Sequence, residues 1–234
     1  MEKLINEVLH RYGFQYNESV PSDLNKFVEL MLKYNESHNI TAITDKNDIL
    51  YKHLLDSLLP SEYLSKNDKI LDVGCGAGFP SVPLSIFDRN LDIIAIDSVN
   101  KKVEFVKIVK NTLNLTNLVP IHTRIEDFAG KPEYRESFDM VLSRAVAPLN
   151  IILEYSAPML KNGGKIIAYK GRNYEEELNL AKNAMKILNC KLIEVKEYKI
   201  PDIDADRYVL VIEKTLNIPA KYPRGQNKPR LKPL

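Results

Sequence analysis

Three glycines on alternate positions end an apolar run in residues 70–80, which read ILDVGCGAGFP. The segment before Gly74 has the composition of a short buried strand, and Pro80 suits the first turn of a helix. Glycine allows a backbone to turn tightly and to approach a ligand closely. The stretch therefore predicts a strand, a ligand-binding turn and a helix in direct succession.

Residues 69–214 alternate between apolar segments typical of strands and amphipathic segments typical of helices. This alternation predicts a mostly parallel sheet with helices on both faces, an α/β fold. The last two segments, KLIEVKEYKI and RYVLVIEK, follow each other without a helix and predict a hairpin with one antiparallel edge strand. The predicted strands are 69–73, 91–96, 117–121, 138–143 and 164–170, and the predicted helices are about 80–87, 100–114, 148–160 and 174–189.

Two regions of different character flank this alternating part. Residues 1–65 carry apolar residues at helical spacing and no strand pattern, so we expect a small N-terminal helical extension before a domain over 66–214. Residues 215–234 form a basic tail with four prolines, which we expect to pack on or near the domain.

The charge of the chain is concentrated at its end. Six basic residues and no acid occur from Lys214 to Leu234, and removing these six from the net charge of +2 leaves −4 for residues 1–213. A basic tail suits a polyanion, and equally a solvated surface, so charge alone does not decide between the two.

Several classes of protein are disfavoured by what the sequence lacks. No apolar run approaches the roughly 18 residues of a membrane span, and the N-terminal residues have no apolar core of a signal peptide. Cys75 and Cys190 give no disulfide or metal spacing, and the four histidines are scattered. We therefore expect a cytoplasmic protein without a metal site, a membrane span or an obligate protein partner.

The glycine spacing and two carboxylates bear on the ligand. A dinucleotide loop has the spacing G-x-G-x-x-G, whereas the spacing here is G-x-G-x-G. Asp72 precedes the loop and would repel a pyrophosphate, but it suits a cationic ligand. Asp97, at the end of the second predicted strand, can accept both ribose hydroxyls of either NAD or S-adenosylmethionine. Together these features favour S-adenosylmethionine.

Motifs along nearly the whole chain resemble one family, the bacterial small-subunit rRNA guanine-N7 methyltransferases, also called RsmG or GidB. These motifs are NITAITDKNDILYKHLLDSL, LDVGCGAGFPSVPL, RIEDF, SRAVAPL, YKGR and the terminal YPR and KPL. The glycine loop alone resembles the wider class I, Rossmann-like S-adenosylmethionine-dependent methyltransferases. The resemblance implies that fold, S-adenosylmethionine as cofactor, and 16S rRNA or the small ribosomal subunit as partner.

The resemblance also implies which residues hold the cofactor. Arg144 is expected to pair with the cofactor carboxylate, with an RNA phosphate or the guanine edge as its alternative partner. The fold places Asp97 at the ribose, and the loop itself supplies Asp72, Gly76 and Gly78. The family's own contacts fall on Gly74, Phe79, Ile125, Glu126 and Arg144.

The implied reaction needs no catalytic acid or base. Guanine N7 has an in-plane lone pair and no proton, so it can displace the methyl group in line, and we expect proximity and alignment to be what the enzyme supplies. Candidate RNA contacts are Lys170 and Arg172 after the fifth strand, which could equally be a solvated surface pair. In the tail the candidates are Arg224, Lys228 and Arg230, where the resemblance implies either RNA contact or packing on the domain. His53 and Asp56, one helical turn apart, are expected to bond to each other in a structural role.

Three alternatives from other classes remain open on the residues alone. The first is a class I methyltransferase that acts on a small molecule or a protein, since it would share the same loop. The second is an RNA-binding protein whose cofactor pocket is vestigial, which the intact loop and Asp97 disfavour. The third is an NAD-dependent dehydrogenase, for which the sequence offers no hydride-transfer motif.

Overall fold

Seven strands form one sheet in the computed structural model of the protein, which describes residues 1–200 and 206–234. The sheet order is β3-β2-β1-β4-β5-β7-β6. Strands β1 to β5 pair in parallel, and β7 runs antiparallel to both of its neighbours. The strands are β1 (Lys69–Val73), β2 (Asp92–Asp97), β3 (Leu118–His122), β4 (Phe138–Arg144), β5 (Leu160–Lys170), β6 (Cys190–Tyr198) and β7 (Arg207–Lys214).

The predicted fold class is confirmed by this topology. The closing hairpin lies at the sheet edge as expected, and within it β7 inserts between β5 and the outermost strand β6. The strand β5 begins at Leu160, four residues before the prediction, because Leu160 already pairs with Phe138 before an irregular stretch at Gly163 and Gly164. Residues 201–205 of the predicted 66–214 domain lie outside the described residues.

Helices cover both faces of the sheet. Along β1, Ile70 and Leu71 point to opposite faces and enter two different apolar cores, as the two-residue period of a strand requires. The first core includes α5 (Ser81–Phe87) and α6 (Asn100–Thr112). The second is built around α7 (Ile125–Ala129), α8 (Leu149–Ser156) and α9 (Tyr174–Ile187).

The N-terminal region shares the first core with the sheet. Residues 1–65, all of them described, hold helices and no strand: α1 (Glu2–Arg11), α2 (Val20–His38), α3 (Lys46–Ile49), a π-helical turn (Leu50–Leu55), α4 (Asp56–Leu58) and a 3-10 turn (Leu59–Tyr63). Asp45 begins α3, and its carboxylate accepts from Asn47 N and Asp48 N, both at 2.9 Å. Phe27 of α2 packs on Phe79 and Phe105, so these helices are continuous with the domain core. No helix of the described chain is both long and apolar enough to cross a membrane.

The turn after β1 depends on left-handed backbone that glycine adopts without strain. Gly78 has φ +91°, and a Cβ atom added there would lie 2.6 Å from Val82 Cγ2, at the start of α5. The close packing of the turn on α5 therefore leaves no room for a side chain.

Asp72 lies beneath this turn and is fully buried. One of its oxygens, Oδ2, accepts from Ser81 N at 3.2 Å and so caps the first turn of α5, while Oδ1 has no hydrogen-bond partner. Burial, opposed by the hydrogen bonds from Ser81 and by Arg144, raises the pKa of Asp72 to about 7.

We predict that Gly78→Ala lowers the free energy of unfolding by about 2–4 kcal/mol, because it combines backbone strain with overpacking against Val82. Urea denaturation measures the change. Gly163→Ala, at φ +80° in open space, isolates the strain and should cost about 1 kcal/mol, and Gly171→Ala should be nearly neutral. Equal effects at Gly78 and Gly163 would show that the contact with Val82 contributes nothing.

We predict that the unfolding free energy of Asp72→Asn increases relative to that of the wild type as the pH rises. The folded protein keeps a proton on Asp72 between about pH 4 and 7 that the unfolded chain, with a pKa of 3.8, has lost. The stability that this proton provides is therefore present at low pH and is lost as the pH rises through 7. The difference in unfolding free energy between the variant and wild type should grow by about 2–3 kcal/mol from pH 5 to pH 8. A constant difference would mean that Asp72 is already ionised at pH 5.

Candidate active site

A cavity of about 460 Å³ lies beyond the carboxyl ends of β1 to β4, and we call it the loop cavity. Parallel α/β sheets bind ligands at this edge, close to the point where the strand order reverses between β1 and β4. The lining residues come from the ends of these strands, from the turns that follow them and from the tail. They are Val73, Gly74, Ile96, Asp97, Ser98, Val99, Lys102, Thr123, Arg124, Ile125, Glu126, Ala145, Val146, Asn227 and Arg230.

Asp97, at the end of β2, orients the glycine turn from the side of the cavity. Its Oδ2 accepts from Gly76 N at 2.9 Å, and its Oδ1 accepts from Val99 N at 2.8 Å. Only 8% of the residue is exposed, so the carboxylate is held in one place. Because each carboxylate oxygen has further lone pairs, Asp97 can still accept hydrogen bonds from a ligand diol.

Gly74 brings bare backbone to the cavity wall. Its φ is +70°, and an added Cβ would lie 2.7 Å from Val146 Cγ2, which belongs to the turn after β4. Among the predicted loop residues, Gly74 is therefore the one that lines the cavity. Gly76 and Gly78 do not line it: the first is bonded to Asp97 and the second packs against α5.

The predicted pair Ile125 and Glu126 lies on the opposite wall, in the first turn of α7. Ile125 is buried and offers an apolar side chain. Glu126 Oε1 accepts from Arg230 Nε of the tail at 2.9 Å. Burial acts against ionisation of Glu126, but hydrogen bonds from its own backbone N–H and from Arg230 outweigh it and lower the pKa of this carboxyl.

Asp72 and Phe79 are two further predicted cofactor residues that do not line the loop cavity. Asp72 accepts a hydrogen bond from Ser81 N at the start of α5, and its contact with a cofactor stays a prediction. The ring of Phe79 is buried and stacks on His53, with ring centroids 4.4 Å apart, and the Arg144 guanidinium lies 5.5 Å from its centroid. Phe79 thus joins the turn to the N-terminal helices.

Arg144 lines a second concave region, which we call the β4–β5 groove. The groove has a volume of about 770 Å³ and includes Lys170 and Arg207 at the adjoining ends of β5 and β7. The two cavities share Ala145 and Val146, the residues that follow β4. Arg144 donates to Asp56 Oδ2 at 2.8 Å and is not among the residues that line the loop cavity, so its predicted contact with the cofactor stays a prediction.

His53 is bonded to Arg144 rather than to Asp56, contrary to the predicted pair. Its Nδ1 lies 2.7 Å from Arg144 Nη2. A guanidinium only donates, so Nδ1 accepts and the ring proton belongs on Nε2, which is buried without a partner. Burial first, and then the charge of Arg144, lower the pKa of His53 to about 4, so this histidine is neutral at physiological pH.

The predicted RNA contacts lie in different settings. Lys170 Nζ lies 2.6 Å from Glu177 Oε2 inside the β4–β5 groove, and Arg172 Nε lies 2.5 Å from Asp206 Oδ2. Arg224 is bound to the fully buried Glu154. Arg230 lies at the loop cavity with Glu126, and Lys228 is exposed.

Sequence reasoning missed the residues that close the outer wall of the loop cavity. Val99 could have been found, because it lies two residues after Asp97, at the turn into α6. Asn227 gave no signal, and Arg230 was predicted only as a contact to RNA or to the domain, because nothing in the sequence shows that the tail folds back to α7.

The chemistry of the loop cavity fits S-adenosylmethionine. Asp97 can bind a ribose diol, and Val99 and Ile125 can flank a purine ring. Gly74 leaves bare backbone where a Cβ would fill space. The volume lies within the range of about 300–1,000 Å³ that is usual for small-molecule sites. No group of three or more side chains that could hold a metal ion occurs among residues 1–200 and 206–234.

Comparisons with known proteins point the same way. The family model described as rRNA small subunit methyltransferase G matches residues 21–206. A ribosomal RNA small subunit methyltransferase G from Lactobacillus johnsonii is 41% identical over 230 residues, which cover 97% of this chain and 96% of that protein. The protein of the same name from Thermoanaerobacter pseudethanolicus is 43% identical over 211 residues, covering 89% and 88% of the two chains.

Solved structures agree at the level of the fold. The crystal structure of M. jannaschii TYW2 in complex with AdoMet has a TM-score of 0.58 at 18% identity, covering 74% of this chain and 79% of that chain. A SAM-dependent methyltransferase from Aquifex aeolicus has a TM-score of 0.56 at 17% identity, covering 72% and 94%. The resemblance inferred from the motifs is confirmed: this chain belongs to the rRNA small subunit methyltransferase G family.

Proposed function

We propose that the protein works in the cytoplasm and transfers the methyl group of S-adenosylmethionine to N7 of one guanine in small-subunit rRNA. The observation that carries this proposal is the arrangement of the two cavities. The loop cavity suits the methyl donor, and the β4–β5 groove, which shares Ala145 and Val146 with it, is open to a second substrate.

The loop cavity would hold the donor through residues of the turns after β1, β2 and β3. Asp97 would bind the ribose hydroxyls, Ile125 and Val99 would flank the adenine, and Gly74 would offer its backbone to the rest of the molecule. When bound, S-adenosylmethionine would supply a methyl group made electrophilic by a sulfonium. The segment Ala145–Val146, which lines both cavities, connects this site to the groove.

The β4–β5 groove would receive the guanine. The groove is lined by four cations, Lys52, Arg144, Lys170 and Arg207, and by three acids, Asp56, Glu176 and Glu177, so one formal positive charge is in excess. Cations in this setting can bind phosphates on either side of a base that enters the groove. Guanine N7 faces the deep, narrow groove of an A-form duplex, so the substrate base must be in a loop or be flipped out of its stack.

No side chain is needed as a base, because N7 carries no proton. The groove accordingly offers groups that position rather than groups that remove protons. His53 is neutral and bonded to Arg144, and Asp56 is held by Arg144 and lies 3.4 Å from Arg207 Nε. The contribution of these residues is to fix the guanidiniums of Arg144 and Arg207 in the β4–β5 groove, so that orientation supplies most of the rate enhancement.

An acceptor other than RNA is the alternative from a different substrate class. A class I methyltransferase acting on a small molecule or a protein could use the same loop cavity. The cations of the β4–β5 groove and the exposed Lys228 favour a polyanion instead.

We expect labelled S-adenosylmethionine and the protein to produce 7-methylguanosine in small-subunit rRNA taken from a strain that lacks this protein. Naked rRNA and assembled subunits are assayed in parallel and digested for nucleoside analysis. The form that is labelled faster shows when in assembly the enzyme acts. If neither form is labelled while S-adenosylmethionine still binds, the rRNA proposal fails and a small-molecule or protein acceptor replaces it.

We predict that Lys170→Ala lowers kcat/KM for rRNA by about 10- to 100-fold, because a charged contact to phosphate is lost. The affinity for S-adenosylmethionine, measured by calorimetry without RNA, should not change. Lys182→Ala removes the same charge from the exposed face of α9, outside the groove, and serves as the control. Equal losses in the two variants would mean that the groove cation has no special role.

A further inference from the structure

The basic tail is bound to the domain by internal ion pairs and hydrogen bonds. Arg224 donates to Glu154 three times: from its backbone N to Oε1 at 3.0 Å, from Nε to Oε1 at 2.7 Å and from Nη2 to Oε2 at 2.6 Å. Glu154, in α8, is fully buried, so this carboxylate depends on Arg224 for its counter-charge. Arg135 adds two bonds, to the carbonyl oxygens of Ile218 and Tyr222 at 2.6 and 2.9 Å.

These anchors fix the path of the chain that follows. Tyr222 is buried in the second core, and Pro229 of α10 (Lys228–Leu231) is buried where α10 packs on α8. We call residues 222–231 the strap. The strap brings Asn227 and Arg230 to the wall of the loop cavity, next to Ile125 and Glu126 of α7.

Arg230 closes this wall by pairing with Glu126 at 2.9 Å. The guanidinium is 42% exposed and the carboxylate 23%, so the pair sits at the rim, partly shielded from solvent. A planar cation in this position can stack over a purine ring held beside Ile125, and Glu126 prevents it from swinging away. Of the two roles predicted for the tail, RNA contact and packing on the domain, Arg224 and Arg230 show the second.

We propose that the strap is part of the cofactor site: Arg230, oriented by Glu126, covers the adenosine end of the bound cofactor and slows its release. The inference rests on the proposed function, since it takes the loop cavity as the site of S-adenosylmethionine. Arg224 acts as a positioning residue, because it touches Glu154 and not the cavity. Lys228 lies in the same short helix but outside the loop cavity, and it remains available to RNA.

The test uses the full-length protein and S-adenosylhomocysteine as the probe, without RNA. Calorimetry gives the dissociation constant, and stopped-flow displacement gives the dissociation rate. Arg230→Ala should raise both by about tenfold, the size expected for one lost charged contact. Lys228→Ala removes the same charge from the same helix and should leave both within about twofold. Arg230→Lys, which keeps the ion pair but not the planar stacking group, should fall between the two.

Limited proteolysis reports on the strap directly. Trypsin cleavage after Lys221 and Arg224 should be slowed by S-adenosylhomocysteine in the wild type and in Lys228→Ala, but not in Arg230→Ala. Thermal unfolding without ligand should be the same for Arg230→Ala and wild type, which separates loss of the contact from loss of the fold.

Binding of S-adenosylhomocysteine to a third variant, Asp97→Ala, separates failure of the strap inference from failure of the proposed function. If Asp97→Ala abolishes binding while Arg230→Ala and Lys228→Ala bind alike, the strap inference is wrong and the assignment of the loop cavity stands. If folded Asp97→Ala binds as the wild type does, the loop cavity is not the cofactor site and both proposals fail.

Discussion

The ion pair between Arg144 and Asp56 joins the two parts on which the site depends. Arg144 ends the central strand β4, and Asp56 belongs to the N-terminal helices. Burial of Asp56 outweighs its two arginine neighbours and raises the pKa of this carboxyl, so the pair pays a large desolvation cost and adds little net stability. What the pair supplies is position: it fixes the guanidinium, the neutral His53 and the stacked Phe79 in one arrangement between the two cavities.

The basic residues of this enzyme have two different roles: some neutralise buried carboxylates, and others line the groove or are exposed. Arg224 neutralises a fully buried carboxylate and Arg144 a nearly buried one, so they shape the protein before any substrate arrives. Lys170 and Arg207 line the groove beside acids that hold them in place, and Lys228 is exposed. A basic sequence segment is therefore a poor guide to an RNA-binding surface until the internal carboxylates that bind its side chains are known.

Most of the fold and half of the site were predictable from local patterns. Strand and helix periods gave the parallel sheet, and the order of strand, glycine turn and second-strand acid located Gly74 and Asp97 at one edge. Ile125 and Glu126 of the motif RIEDF line the same cavity, and their contact with the cofactor stays a prediction. Phe79 is predicted to contact the cofactor, and its ring is buried against Phe27 of α2, a long-range contact that local patterns do not show; the cofactor contact stays a prediction.

Local patterns are enough to predict the class of this protein, because strand periods, glycine turns and family motifs can be recognised without knowledge of long-range contacts. Which charged residues pair with each other, and which are left to line a cavity, can be read only from the folded chain. That choice depends on long-range pairs, such as Arg144 with Asp56, Arg224 with Glu154 and Arg230 with Glu126. The strength of an ion pair depends on the distance between the charges and on their burial, and the spacing of residues along the chain reveals neither quantity.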